Sequence, residues 1–288
     1  MRPRTFVIAE VAGCHDGDIN RAVDLIKYAR DCGADAVKFQ WLSSPERLAE
    51  RRRAPAYLDA YRTIAFPREW LKVFQLAAEI AGLEFMCTAY LSEDVPVLAP
   101  HLKRFKISSF ESGDAHFVAQ HAEFPDHPLI LSAGMGGYVR VREAVKRYVQ
   151  VRGPKPNEVP STVREVGDWI SVLHCVSAYP CPPEQANLAA LRPRWDWESA
   201  NRYAGYSDHT RHPWTGALAV AAGARIVEFH MRAPDTRAKN ADYAVSRDPE
   251  EAAEYVRGIR AAEVLCGEGE SRAMPAEQPM EQHVVTGR

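Results

Sequence analysis

Residues 6–40 read FVIAEVAGCHDGDINRAVDLIKYARDCGADAVKFQ, and this stretch decides the fold. A short apolar, β-branched run over 6–11 is followed by an amphipathic stretch over 19–31, a glycine at Gly33 and a second short run over 36–40. Short runs suit strands buried on both faces, and the longer amphipathic stretch suits a covering helix that ends in a C-cap glycine. Outward from this unit the same alternation repeats. Further strands are predicted over 84–88, 104–108, 129–132, 169–174, 203–206 and 225–230. The clearest further helices are expected over 67–81, 139–151, 213–222 and 249–265. Pro67, Pro213 and Pro249 stand near expected helix starts, where a missing N–H costs little, and Gly82 and Gly223 close two of the helices. Eight such units in an α/β chain imply a closed (β/α)₈ TIM barrel of about 250 residues. A doubly wound open sheet is the alternative, but no GxGxxG follows the first strand.

The chain has 288 residues, 46% of them apolar, enough for one large core and too much for a disordered or fibrous protein. Lys plus Arg number 36 against 38 Asp plus Glu. Apart from Arg51-Arg52-Arg53, neither sign runs long, which argues against bulk nucleic-acid or membrane-surface binding and for a small-molecule partner. Nothing approaches the roughly twenty apolar residues of a membrane span. The cysteines at 14, 32, 87, 175, 181 and 266 form no CxxC pair and read as free thiols of a cytoplasmic protein. The barrel is assigned to 1–266 and a polar surface tail to 267–288. The stretches 42–66 and 152–165 do not fit a tight barrel and read as insertions over one face. Trp41, Trp70, Trp195 and Trp197 are taken as packing residues.

Barrel enzymes build their sites at the C-terminal ends of the strands, and polar residues collect there at nearly every strand. Glu10 and His15 follow the first; Lys38 and Gln40, Thr88, then Lys106, Ser109 and Glu111 follow the next three. Ser132 ends the fifth, His174, Ser177 and Tyr179 the sixth, Ser207, Asp208 and His209 the seventh, and Glu228 and His230 the eighth. Two lysines and several hydroxyls at one mouth suit a ligand with phosphate and carboxylate groups, or else a lysine forms a Schiff base with a 2-keto acid. Either lysine alone is equally consistent with a salt-bridged core residue. His209 and His230 are candidate ligands for a divalent metal, and Glu10, Glu111 and Glu228 for acid–base work.

The segments IAEVAGCHDGD (8–18), GADAVKFQ (33–40), FMCTAY (85–90), FKISSFES (105–112), LILSAGM (129–135), LHCVSAYPCPPEQANL (173–188), GYSDHT (205–210) and VEFH (227–230) together resemble N-acetylneuraminate (sialic acid) synthases. The resemblance implies a TIM barrel that condenses phosphoenolpyruvate with the open-chain aldehyde of an amino sugar such as N-acetylmannosamine, using Mn²⁺ or Mg²⁺ and releasing phosphate. It places Lys38, Thr88, Lys106, Ser109, Ser132, Ser177, Tyr179 and Ser207 at phosphoenolpyruvate-binding positions, and His209 and His230 at metal-ligand positions. Glu10 and Glu111, with Lys106, fall in the catalytic set, and Gln40 and Asp242 face the acceptor. A homodimer is expected on the same ground. The chain departs from the family at Cys14, at Ala89-Tyr90, at Phe229-His230-Met231 and over Lys239-Asn240-Ala241-Asp242. Family members continue into a small antifreeze-like domain, which is expected to be absent here, and this leaves open whether the acceptor is N-acetylmannosamine or a related sugar. The readings set beside this one are a Schiff-base aldolase or lyase and a diverged, non-catalytic anion-binding barrel.

Overall fold

In the computed structural model, which describes residues 4–153, 169–192, 203–267, 269 and 274–283, eight parallel strands close into a barrel in sequence order. They are β1 Phe6–Ala12, β2 Ala36–Gln40, β3 Glu84–Thr88, β4 Phe105–Ile107, β5 Leu129–Ala133, β6 Ile170–Cys175, β7 Gly205–Asp208 and β8 Ile226–His230. The outer layer contains the helices Ile19–Asp31, Trp70–Ile80, Gly137–Arg152, Thr215–Ala221 and Pro249–Cys266. Asp18 caps the first of these by accepting from the Asn20 and Arg21 amides at 2.8 and 3.3 Å, which satisfies donors that a helix start leaves free. Asp248 and Glu251 form a reciprocal capping box ahead of the last.

Two proline expectations need correction. The helices expected from Pro67 and Pro213 begin at Trp70 and Thr215, because each proline opens a turn before its helix; Pro249 does stand in the first turn. Strand seven lies at Gly205–Asp208 rather than 203–206, so Ser207 and Asp208 belong to the strand itself. The 42–66 stretch is a folded cap of two short helices, Pro45–Arg51 and Leu58–Ile64. The expected insertion at 152–165 falls outside the described residues from position 154, as do Trp195 and Trp197. In the tail, Pro275–His283 forms a 3₁₀ helix.

Strand parity then decides what each side chain meets. Val7, Ala9 and Val11 of β1, Val37 and Phe39 of β2, and Phe105 and Ile107 of β4 join the core between strands and helices. Phe39 stacks on Phe74 of the neighbouring helix, ring centroids 4.6 Å apart. Their strand neighbours turn inward. Ile8, Ala36, Met86, Ile130 and Leu173 plug the barrel, with Phe6 and Ile226 packed against them. Two residues further along their strands stand Glu10, Lys38, Thr88, Ser132, Cys175 and Glu228, so the apolar plug becomes a polar layer just below the mouth.

Candidate active site

The polar layer is wired by register. Glu10 lies beside Lys38 on one side and His230 on the other, Thr88 beside Lys106, and Ser207 beside Glu228. Lys38 Nζ ion-pairs with Glu10, lies 3.6 Å from Glu228 Oε2 and donates to Thr88 Oγ1 at 3.2 Å. Lys106 Nζ lies 3.4 Å from Glu228 Oε1 and donates to Ser132 Oγ at 2.7 Å. Ser207 completes the ring by donating to Glu228 Oε1 at 2.8 Å. All of these groups are buried. Burial pushes the Lys38 ammonium down to about 8 against the opposing pull of Glu228. Burial also pushes Glu228 up, but Lys106 and Lys38 outweigh it and hold that carboxyl at about 2. Two ammonium groups and two carboxylates thus form a preorganised layer, and Glu228 is its hub.

Above this layer Ser177 donates to Ser109 Oγ at 2.7 Å. The approach depends on Gly134, since a Cβ there would lie 2.1 Å from Ser177 Oγ. His209 Nδ1 is 2.7 Å from the Val176 carbonyl, which places the proton on Nδ1 and leaves Nε2 as the lone-pair donor. Its ring stacks beside Tyr179 at 4.1 Å and lies 5.2 Å from the ring of His230. His230 Nδ1 is buried without a hydrogen-bond partner and is 3.4 Å from Asp242 Oδ1. Among the described residues no three His, Cys, Asp or Glu side chains are arranged to hold a metal by themselves. Two imidazoles with an orphaned ring nitrogen fit a divalent ion whose other positions are filled by small-molecule oxygens.

A cavity of about 980 Å³ opens over these groups. Glu10, Lys38, Gln40, Lys106, Ser109, Glu111, Ser132, Ser177, Tyr179, Ser207, His209, His230 and Asp242 all line it. Thr88 does not line it and supports Lys38 from within the wall. His15, His174 and Asp208, which the strand-end reading had added, lie elsewhere. His15 packs against Phe39 and Phe66. His174 bonds the Ala186 carbonyl and stacks on Tyr206. Asp208 is buried under Arg247, Thr215 and Tyr255, which donate to its Oδ2 at 2.9, 2.6 and 2.7 Å. Parity explains the last two, because each directly follows or precedes an inward residue of its strand.

Sequence reasoning missed the outer wall. Arg51, Arg52, Tyr57 and Tyr61 of the 42–66 cap line the cavity, with Tyr90, Phe110 and Arg140. The arginine triplet was the available signal, but its direction was not legible. Arg52 reaches Glu111, with Nε and Nη2 at 2.8 and 2.7 Å from Oε1.

The NeuB family model matches residues 25–271 of this chain. N,N'-diacetyllegionaminic acid synthase of Legionella pneumophila is 31% identical over 287 residues, covering 96% of this chain and 77% of that protein. Mouse N-acetylneuraminate-9-phosphate synthase is 29% identical, covering 94% and 74%. Among solved structures, the sialic acid synthetase of Leptospira borgpetersenii serovar Hardjo-bovis, in complex with citrate, superposes with a TM-score of 0.82 at 26% identity. That match covers 98% of this chain and 91% of the other.

Proposed function

The chain belongs to the NeuB family of sialic-acid-synthase-like proteins, and from that premise we propose that it condenses phosphoenolpyruvate with an aldehyde sugar and releases phosphate. The observation that carries this reading is the buried Lys38–Glu10–Glu228–Lys106 layer beneath the serine hydroxyls at one barrel mouth. Fixed ammonium groups and hydroxyl donors hold an anionic enol ester without reorganising when charge moves. Ser109, Ser132, Ser177 and Ser207 orient its oxygens, and Lys38 and Lys106 neutralise them. Tyr179, half out of the wall beside His209, together with Gln40 and Asp242, borders the space for the aldehyde.

A Mn²⁺ or Mg²⁺ ion held by His209 and His230 would supply Lewis-acid polarisation of the aldehyde oxygen. The residues of the chain do the rest. Tyr179, Gln40 and Asp242 align the aldehyde carbon with C3 of the enol, so that the new carbon–carbon bond forms as positive charge develops at C2. Glu111 takes the first proton from the water that adds at C2; of that water's two protons, one ends on the former aldehyde oxygen and the other on the departing phosphate. Lys106 and the serine hydroxyls hold the phosphate oxygens as the C2–O bond breaks and inorganic phosphate leaves. Glu10, hydrogen-bonded to the Ala12 amide at 2.6 Å and ion-paired with Lys38, keeps that lysine in place.

Lys106→Ala and His209→Ala are each expected to abolish phosphate release from phosphoenolpyruvate plus aldehyde; unchanged release from either variant would overturn the assignment. The lowered Lys38 ammonium favours one second reading, a Schiff-base lyase acting on a 2-keto acid. That route predicts a borohydride-trapped pyruvyl adduct on lysine and indifference to chelators.

A further inference from the structure

The three consecutive arginines of the cap do three different things. Helix Pro45–Arg51 starts on Ser44, whose hydroxyl accepts from the Arg47 amide at 3.2 Å, and it ends at Arg52. Arg53 then takes a left-handed conformation at φ 50° and stands exposed. Arg51 anchors the helix end to the loop after β4 through Asp114 at 2.8 Å and to the loop after β3 through the Tyr90 carbonyl. Arg52 also lines the cavity, among its aromatic side chains. Its guanidinium lies 4.8, 5.0 and 5.4 Å from the ring centroids of Phe110, Tyr90 and Tyr61. Two of its nitrogens meet Glu111 Oε1, while Ser108 donates to Oε2. Glu111 is buried, and both of its oxygens are held by side-chain donors. A carboxylate has about four lone-pair sites, so with three donors in place this clamp aims the one that remains, on Oε2.

We propose that Arg52 is the positioning residue for Glu111, which makes the 42–66 cap a working part of the active site. The inference rests on the reading of Glu111 as the carboxylate that handles water at C2. Arg52 itself touches no reacting atom. It fixes the direction of the Glu111 lone pairs, and three aromatic rings pack around its guanidinium. A planar fork held in an aromatic cage is a shape that a free guanidinium ion can refill.

The test compares Glu111→Gln, Arg52→Ala and Arg52→Lys in the phosphate-release assay. Arg52→Ala is expected to lower kcat on the order of 100-fold while KM for phosphoenolpyruvate stays at the wild-type value. Millimolar guanidinium chloride is expected to restore activity to Arg52→Ala, and the same concentration of sodium chloride is not. Arg52→Lys keeps the charge without the fork and is expected to remain impaired, which preserves the test should the alanine variant fold poorly. Full activity in Glu111→Gln would remove the reading on which the inference rests. An inactive Glu111→Gln beside a fully active Arg52→Ala, or an impaired Arg52→Ala that guanidinium does not restore, would overturn the inference itself.

Discussion

His121 bonds the Phe117 carbonyl through Nδ1 at 2.9 Å, and its ring lies edge-on to Phe105 and Phe117. Its Nε2 is buried without a partner. Burial pushes this imidazole down to about 4, and burial does the same to His15. The unfolded chain holds both near 6.5, so between pH 6.5 and pH 4 it binds more protons than the folded chain does. Stability that is complete above the unfolded value is therefore lost as pH falls through the folded one, by roughly 3 kcal/mol for each histidine. Thermal melts across this range should show Tm falling steeply in acid, and His121→Phe should flatten that fall; an equal slope in the variant would contradict it. The same scale shows what was legible in the chain. Lys38, Lys106 and Glu228 could be placed because a charged residue inside an apolar strand has few places to go but a barrel mouth. Thr88 followed the same parity and still ended inside the wall. Glu111 was marked, but its partner is 59 residues away in a loop that no periodicity describes.

At the scale of elements, strands and long helices were readable because parity and the 3.6-residue period repeat over enough positions. Helices such as Pro45–Arg51, Leu58–Ile64 and Ala115–Gln120 were not, since six or seven residues hold too few turns to show a period. Close approaches were also invisible. At Gly205 in β7 a Cβ would stand 1.9 Å from the Ile226 carbonyl oxygen of β8. Since backbone cannot yield there as a side-chain tip would, Gly205→Ala is expected to destabilise the barrel by about 3 kcal/mol. Gly258, inside helix Pro249–Cys266, meets only Ala217 Cβ at 3.8 Å. Gly258→Ala is expected to stabilise by up to about 1 kcal/mol. Urea midpoints measure both, and a neutral Gly205→Ala would mean that β7 and β8 do not pair as closely as described.

Across the whole molecule, the near-equal counts of acidic and basic residues conceal the arrangement that matters. The total says nothing of two ammonium groups and two carboxylates buried together under one mouth. The barrel was legible because eight units recur along the chain. The cap was legible only as a departure from that pattern, and its place on the cavity wall came from the fold. The outer wall of the cavity brings Arg51, Arg52 and Arg140 together with Tyr57, Tyr61, Tyr90 and Phe110. The central claim is that this mouth joins phosphoenolpyruvate to an aldehyde. Its most direct test is ³¹P NMR of the wild-type protein with phosphoenolpyruvate, Mg²⁺ and a panel of neutral and phosphorylated aldoses. The account predicts that the enol-phosphate signal gives way to inorganic phosphate only when an aldehyde acceptor is present. The product mass should equal the two substrates plus water minus phosphoric acid. Phosphate release that ignores the aldehyde, or a borohydride-trapped pyruvyl-lysine in its place, would contradict it.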